Sequence, residues 1–181
     1  MILDIDKTWT LFLDRDGVIN KKRDNDYVKN WSEFSFINGS LKAISKLSKV
    51  FGKIIIVTNQ RGVGKGVMTE SDLNIIHENM IIQISAYSGK IDKIYYCTDL
   101  LDNSEFRKPN IGMGLEAFKD FPDINFEKSV MVGDSISDQI FGEKLGMLYV
   151  QIQNPIKTSS QSHLVTKSLY DFASLVKNIE N

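Results

Sequence analysis

The chain has a single cysteine, Cys97, among its 181 residues. One thiol excludes an intramolecular disulfide and a thiolate-rich zinc site. It also lacks a surplus of either charge, since 22 Lys and Arg against 23 Asp and Glu leave a net charge of -1. There is thus no broad attraction for nucleic acid or an anionic membrane, and any phosphate binding has to be local. No apolar run approaches the length that spans a bilayer. The opening Met1-Ile-Leu-Asp-Ile-Asp-Lys places acids where a signal peptide needs an apolar core. A cytoplasmic location with no membrane partner is the expectation. There is no internal repeat and no sign of a second domain. With 42% hydrophobic and 25% charged residues, the chain is expected to form one globular domain over residues 1-181.

What is there is organised around Leu11-Phe12-Leu13-Asp14-Arg15-Asp16-Gly17-Val18-Ile19-Asn20. An apolar run ends abruptly in two carboxylates one residue apart, followed at once by glycine. In open α/β sheets ligands bind outside the carboxyl ends of the strands, so Asp14 and Asp16 are expected to face a site. Two carboxylates roughly 4 Å apart repel by about 4 kcal/mol at an effective dielectric of about 20. The arrangement favours a bound cation or a shared proton, and a hard divalent ion such as Mg²⁺ suits it. A second acid pair, Asp4 and Asp6, has the same spacing but only Met1, Ile2 and Leu3 before it. Three residues are too few for an interior strand, so this pair reads as a solvated lead-in.

From Lys21 to Ile37 the chain is polar with interspersed aromatics and no helical period. It reads as a long loop of the kind that carries function, with Phe34 and Phe36 anchoring it and Tyr27 and Trp31 open to either role. Leu41, Ile44, Leu47 and Phe51 then share a helical face, with Gly52 suited to the helix end. Lys53 to Val57 is apolar without alternation, as in a strand buried on both faces of a parallel sheet. It runs into Thr58-Asn59-Gln60-Arg61-Gly62-Val63-Gly64-Lys65-Gly66, a hydroxyl, two amides and two cations in a glycine-rich turn that suits phosphate oxygens. This is no P-loop, because Asn59 and Gly66 stand where that motif needs glycine and Ser or Thr.

Thr69 and Asp72 spell a capping box for a helix carrying Leu73, Ile76, Met80, Ile84 and Tyr87, with His77 off the stripe and expected in solvent. Ile91 to Cys97 reads as a third strand and Thr98 to Phe106 as a loop. Arg107-Lys108-Pro109 follows, two cations placed to neutralise phosphate. After a helix over 111-121, the buried run Ser129 to Val132 ends in Gly133-Asp134-Ser135-Ile136-Ser137-Asp138. Asp134 and Asp138 fall on one side of the next helix's first turn. Acids there can be simple caps, but this is the third strand tip bearing matched chemistry. Met147 to Ile152 reads as a fifth strand, Gln153 to Lys167 as a polar connection, and Leu169, Phe172, Leu175 and Ile179 as a closing helix.

The order acid-x-acid-Gly, strand-tip Thr, basic residue, Gly-Asp-x-x-x-Asp resembles the haloacid dehalogenase superfamily phosphatases. The strings Asp14-Arg-Asp-Gly-Val-Ile-Asn, Tyr27-Val, Thr58-Asn-Gln-x-Gly-x-x-Lys-Gly and Arg107-Lys-Pro-x-x-Gly-Met resemble the branch that hydrolyses histidinol phosphate or D-glycero-D-manno-heptose 1,7-bisphosphate. The heptose bisphosphate members are the closer of the two. That branch commonly carries a zinc loop of cysteines and a histidine before Arg-Lys-Pro. Here only Cys97 holds a slot, with Ser104 and Phe106 just upstream of Arg107, so no zinc is expected. The resemblance implies an α/β fold, a Rossmann-like three-layer sandwich with a mainly parallel central sheet. Short loops at both usual insertion points imply no separate cap domain.

It further implies that Asp14 is a nucleophile forming an aspartyl-phosphate and Asp16 the general acid and base. Mg²⁺ would be held by Asp14, the backbone carbonyl of Asp16, and Asp134. Thr58, Asn59 and Lys108 would hold the phosphoryl oxygens, Asp138 would orient Lys108 or a metal-bound water, and Arg107 and Lys65 would meet the rest of the substrate. The expected partner is a small sugar phosphate, met by a monomer, with release of the 7-phosphate. Two other readings stay open. An uncapped site also suits a polynucleotide 3′-phosphatase, against which the missing basic surplus argues, so nucleic acid is not the expected partner. A receiver-like switch would keep its phosphate on Asp99, but Asp16 supplies the acid and base a switch avoids.

Overall fold

The computed structural model describes residues 4-152 and 164-176. Six parallel strands form one sheet in the order β3-β2-β1-β4-β5-β6. They are β1 Thr10–Leu13, β2 Lys53–Asn59, β3 Lys93–Cys97, β4 Ser129–Gly133, β5 Leu148–Ile152 and β6 Leu164–Thr166. The helices are α1 Ser40–Val50, a single turn α2 Arg61–Gly64, α3 Glu70–Ala86, α4 Gly112–Asp120, α5 Ile136–Lys144 and α6 Leu169–Leu175. The sheet is all-parallel rather than mainly parallel, and β6 is a strand within the stretch expected to be a polar connection. Residues 153-163 of that connection, the lead-in residues 1-3 and the helix-stripe residue Ile179 lie outside the described residues.

The apolar runs without alternation are explained by the layers on both faces. Leu11 and Leu13 of β1, Ile54 and Ile56 of β2, and Val130 and Val132 of β4 pack with Ile44 and Leu47 of α1, Met80 and Ile84 of α3, and Phe172 of α6. Phe12, Ile55, Val57 and Met131 project the other way onto Met113 and Ala117 of α4 and Phe141 of α5. Successive strand residues point to opposite faces, so two cores require apolar residues at every position. The result is the three-layer sandwich expected. Among the described residues no helix is long and apolar enough to cross a membrane.

β1 is the middle strand of the trio β2-β1-β4, in register Leu13 with Ile56 and Val132. Their carboxyl ends therefore open side by side. Between β1 and α1 the described chain holds a 3-10 turn at Trp31–Glu33 and isolated bridges of Asn20 with Asp16 and Phe36, so no folded lid is inserted there. Trp31 stacks on Phe34 at 4.9 Å between ring centroids and Phe34 meets Phe36 edge-on at 5.0 Å, fastening this long loop to the core. Gly52 serves differently from the helix terminator expected. A Cβ there would lie 2.1 Å from the Lys7 carbonyl oxygen, so the residue allows a close backbone crossing.

Candidate active site

Asp14 follows β1 directly, its amide donating to the Val132 carbonyl at 2.9 Å and so continuing the ladder one residue past the strand. Lys108 arrives from the loop after β3, and its ammonium is buried. Its Nζ donates to Asp14 Oδ1 at 2.9 Å, Asp138 Oδ1 at 2.5 Å and the Val57 carbonyl at 2.6 Å. All three ammonium donors are thereby used. Asp138 is at once a cap and a site residue. Its Oδ2 accepts from the Ser135 amide at 3.1 Å and hydroxyl at 2.6 Å in a capping box that starts α5, leaving Oδ1 for Lys108.

Asp134 stands where β4 ends. Its Oδ2 accepts from Lys22 Nζ at 2.9 Å, while Oδ1 is buried with no hydrogen-bond partner. Gly17 makes this placement possible, because it sits at φ +91° and a Cβ there would lie 2.3 Å from Asp134 Oδ2. Ligand atoms of Asp14, Asp134 and Asp138 all fall within 4.8 Å of one another. Asp138 is already bonded at both oxygens, so the Asp14 carboxylate and Asp134 with its stranded oxygen are the pair that fits a hard divalent cation bound through oxygen.

The electrostatics follow from burial. Burial pushes the Asp14 carboxyl up to about 7, Lys108 pulling against it and the acids Asp138, Asp16 and Asp134 adding to the rise. Asp134 is raised as well, by burial first, with Lys22 opposing. Burial works against the Lys108 ammonium, but Asp138 and Asp14 outweigh it and hold the lysine charged, above its ordinary value. Asp16 behaves oppositely to Asp14. Burial would raise it, yet the Arg15 charge and bonds from Asn20, Arg15 and Gln60 hold it below the usual carboxylate range. The two acids of one motif thus have different proton affinities.

Asp14, Asp16, Thr58, Asn59, Lys108, Asp134 and Asp138 line one cleft of about 190 Å³. Thr58 is buried there with its Oγ1 accepting from Gln60 Nε2 at 2.9 Å. Asn59 lines the cleft, but its side-chain amide is engaged with the Lys108 backbone, donating to the carbonyl and accepting from the amide at 3.0 Å each. It aligns the lysine segment. Lys65 and Arg107 lie outside this cleft. Lys65 Nζ sits 5.4 Å over the Tyr27 ring, and Arg107 bonds Asp102 Oδ1 at 3.3 Å and the Asp99 carbonyl at 3.4 Å.

Asp102 also takes Arg61, which reaches the Leu100 carbonyl at 3.0 Å, and the Ser104 hydroxyl bonds Asp99. These contacts shape the 98-106 loop beside the buried Cys97, and they direct the Asp99 carboxylate to Ser104 rather than to the cleft.

Two residues near the acids carried no signal in the sequence reading. Lys22 reaches Asp134 from the loop after β1. His77, expected in solvent, is instead buried on α3 with Nε2 at 3.1 Å from Arg15 Nη1. The Arg15 side chain fills the space beside that face of the helix, so a position off the apolar stripe is still interior.

A parallel sheet that opens acids at neighbouring strand tips around a buried lysine defines the class of haloacid dehalogenase-type hydrolases. Residues 3-177 match the family model described as polynucleotide kinase 3 phosphatase. The D-glycero-alpha-D-manno-heptose-1,7-bisphosphate 7-phosphatase of Mycobacterium tuberculosis is 40% identical over 131 residues, 72% of this chain and 69% of that protein. The D-glycero-beta-D-manno-heptose-1,7-bisphosphate 7-phosphatase of Pasteurella multocida is 31% identical over 183 residues, 94% of this chain and 98% of that protein. A crystal structure of the D,D-heptose 1,7-bisphosphate phosphatase from B. bronchiseptica, complexed with magnesium and phosphate, superposes with a TM-score of 0.84 at 27% identity, covering 92% of this chain and 96% of that one. The chain belongs to the heptose-1,7-bisphosphate 7-phosphatase family of haloacid dehalogenase-type phosphatases.

Proposed function

We propose that the protein hydrolyses the 7-phosphate of D-glycero-D-manno-heptose 1,7-bisphosphate, with Mg²⁺, through an aspartyl-phosphate on Asp14. The observation that carries this reading is the Lys108 ammonium fixed between Asp14 and Asp138 beside Asp134. The hydrogen bonds of the described residues reach only Oδ1 of Asp14, which leaves Oδ2 to attack phosphorus. As the new O–P bond forms, the bond from phosphorus to the sugar oxygen breaks, and Asp16 delivers a proton to that oxygen. Asp16 then takes a proton from water, whose oxygen attacks phosphorus and frees both inorganic phosphate and the Asp14 carboxylate.

Asp16 faces the cleft from within its donor set, and a proton on it must displace one of those bonds. The Thr58 hydroxyl binds a phosphoryl oxygen, Lys108 reaches another by exchanging one of its three present acceptors for it, and Asp138 and Asn59 keep Lys108 aligned. Mg²⁺ would be held by Asp14, Asp134 and the Asp16 carbonyl. It supplies the charge neutralisation that lets one anion approach another. Arg107 and Lys65, outside the cleft that holds the acids, are the candidates for the remainder of the substrate. Every group named comes from one chain, so a monomer with a single domain suffices.

The test is inorganic phosphate release, with Mg²⁺, from the α- and β-anomers of heptose 1,7-bisphosphate, histidinol phosphate and a 3′-phosphorylated oligonucleotide. The highest kcat/KM is expected on a heptose bisphosphate. A higher value on the oligonucleotide would move the assignment to the activity named by the matching family model, and a higher value on histidinol phosphate to that substrate.

A further inference from the structure

We propose that His77 is a positioning residue for Asp16, acting through the buried guanidinium of Arg15. This rests on the reading of Asp16 as the proton donor to the leaving sugar oxygen. Arg15 is 1% exposed and His77 6%. A guanidinium can only donate, so at 3.1 Å from Arg15 Nη1 the Nε2 of His77 accepts, and the imidazole is neutral with its proton on Nδ1. The other arm of the guanidinium, Nη2, donates to both oxygens of Asp16 at 3.1 and 2.9 Å and to Gln60 Oε1 at 3.2 Å. Gln60 in turn donates from Nε2 to Asp16 Oδ2 at 2.9 Å.

Arg15 Nε is buried without a partner. The guanidinium plane is therefore held at its two outer nitrogens alone, and among the described residues His77 is the anchor on Nη1. Removing that acceptor leaves a buried donor unpaired and lets the plane turn about its bonds to Asp16 and Gln60. His77 itself stands on a rigid element. The Thr69 and Asp72 capping box fixes the start of α3, Leu73 and Ile76 are buried against Val28 and Met68, and the Tyr96 ring lies 5.7 Å from the imidazole.

The consequence is specific to leaving groups. A sugar alkoxide needs a proton as it departs, whereas p-nitrophenolate does not, and kcat/KM reports phosphoryl transfer to Asp14 in both cases. With Mg²⁺ saturating, His77→Asn is expected to lower kcat/KM for heptose 1,7-bisphosphate about tenfold and for p-nitrophenyl phosphate by less than about twofold. The amide oxygen of Asn lies short of the Nε2 position. His77→Gln places its oxygen there and is expected to restore most of the sugar-phosphate value.

A merely structural role would lower both substrates alike, and that result overturns the proposal. So does an Asn variant with no loss or a gain, or a Gln variant no better than Asn. Melting temperatures show that each variant is folded, and His77→Phe is the second variant should His77→Asn fail to fold. Asp16→Asn is assayed beside them. If it is selective for the sugar phosphate and the His77 variants are not, the positioning role alone fails. If Asp16→Asn lowers both substrates equally, the proton-donor reading itself fails.

Discussion

Gly17 shows how much a single missing side chain can decide. Its φ of +91° is strained for any L side chain, and the volume of even one methyl group is taken by the Asp134 carboxylate. Gly17→Ala is expected to push Asp134 out of the cluster and weaken Mg²⁺ binding by about tenfold or more, a loss of roughly 1.4 kcal/mol or greater. Titration calorimetry reads this directly, and an unchanged affinity would remove Asp134 from the cation site. Asp14→Asn makes the complementary point. An amide keeps an oxygen for Lys108 yet is no nucleophile, so phosphate release should fall by about 10³-fold or more while the circular dichroism spectrum is retained. Measurable turnover at the wild-type rate would displace Asp14 from its role.

At the scale of elements, the site acids were legible because each stands where an apolar strand stops. The apolar runs of β1 and β4 give way directly to Asp14 and Asp134, and that of β2 to Thr58 and Asn59 in its last two positions, so the change from apolar to polar marks where each strand reaches the site. β6 was not legible for the same physical reason in reverse. It has only three residues, Leu164–Thr166, at the sheet edge, and Val165 is 41% exposed, so it shows neither a buried run nor a period. Lys22 and His77 escaped notice because each meets its partner across the chain, 112 and 62 residues away. No local pattern encodes such a contact.

The loop that carries Lys22 is fastened by Phe34, which packs against Trp31 and Phe36 and against both the main core and the Val28 cluster. Phe34→Ala is expected to cost about 2 kcal/mol, below the usual range for a fully buried Phe because the ring is only partly covered. Urea unfolding measures it, and a loss under about 0.5 kcal/mol, the size of an ordinary surface substitution, would show that the loop is held elsewhere.

For the whole molecule, two of the buried groups with displaced proton affinities, His77 and Asp14, oppose each other in stability. His77 is pushed down to about 3, by burial and then by the Arg15 charge. Between about 3 and 6.5 the unfolded chain binds a proton there that the folded protein refuses, so stability falls as the pH drops through that window. Asp14, raised to about 7 by burial, has the opposite sign. Between about 3.8 and 7 the folded protein keeps a proton that the unfolded chain releases, and stability falls as the pH rises. Over the shared span from about 4 to 6.5 the two slopes, each at most about 1.4 kcal/mol per pH unit, largely cancel. Asp14→Asn removes one of them, so the variant should lose stability more steeply than the parent as the pH falls from 6.5 to 4. Mg²⁺ acts on the same group from the other side, since a cation on the cluster favours the Asp14 carboxylate. The rise in melting temperature on adding Mg²⁺ to the parent should grow from pH 5 to pH 7.5 and be much smaller in Asp14→Asn. A Mg²⁺ effect of equal size at both pH values, or equal in both proteins, would mean that the ion binds without drawing the proton from Asp14.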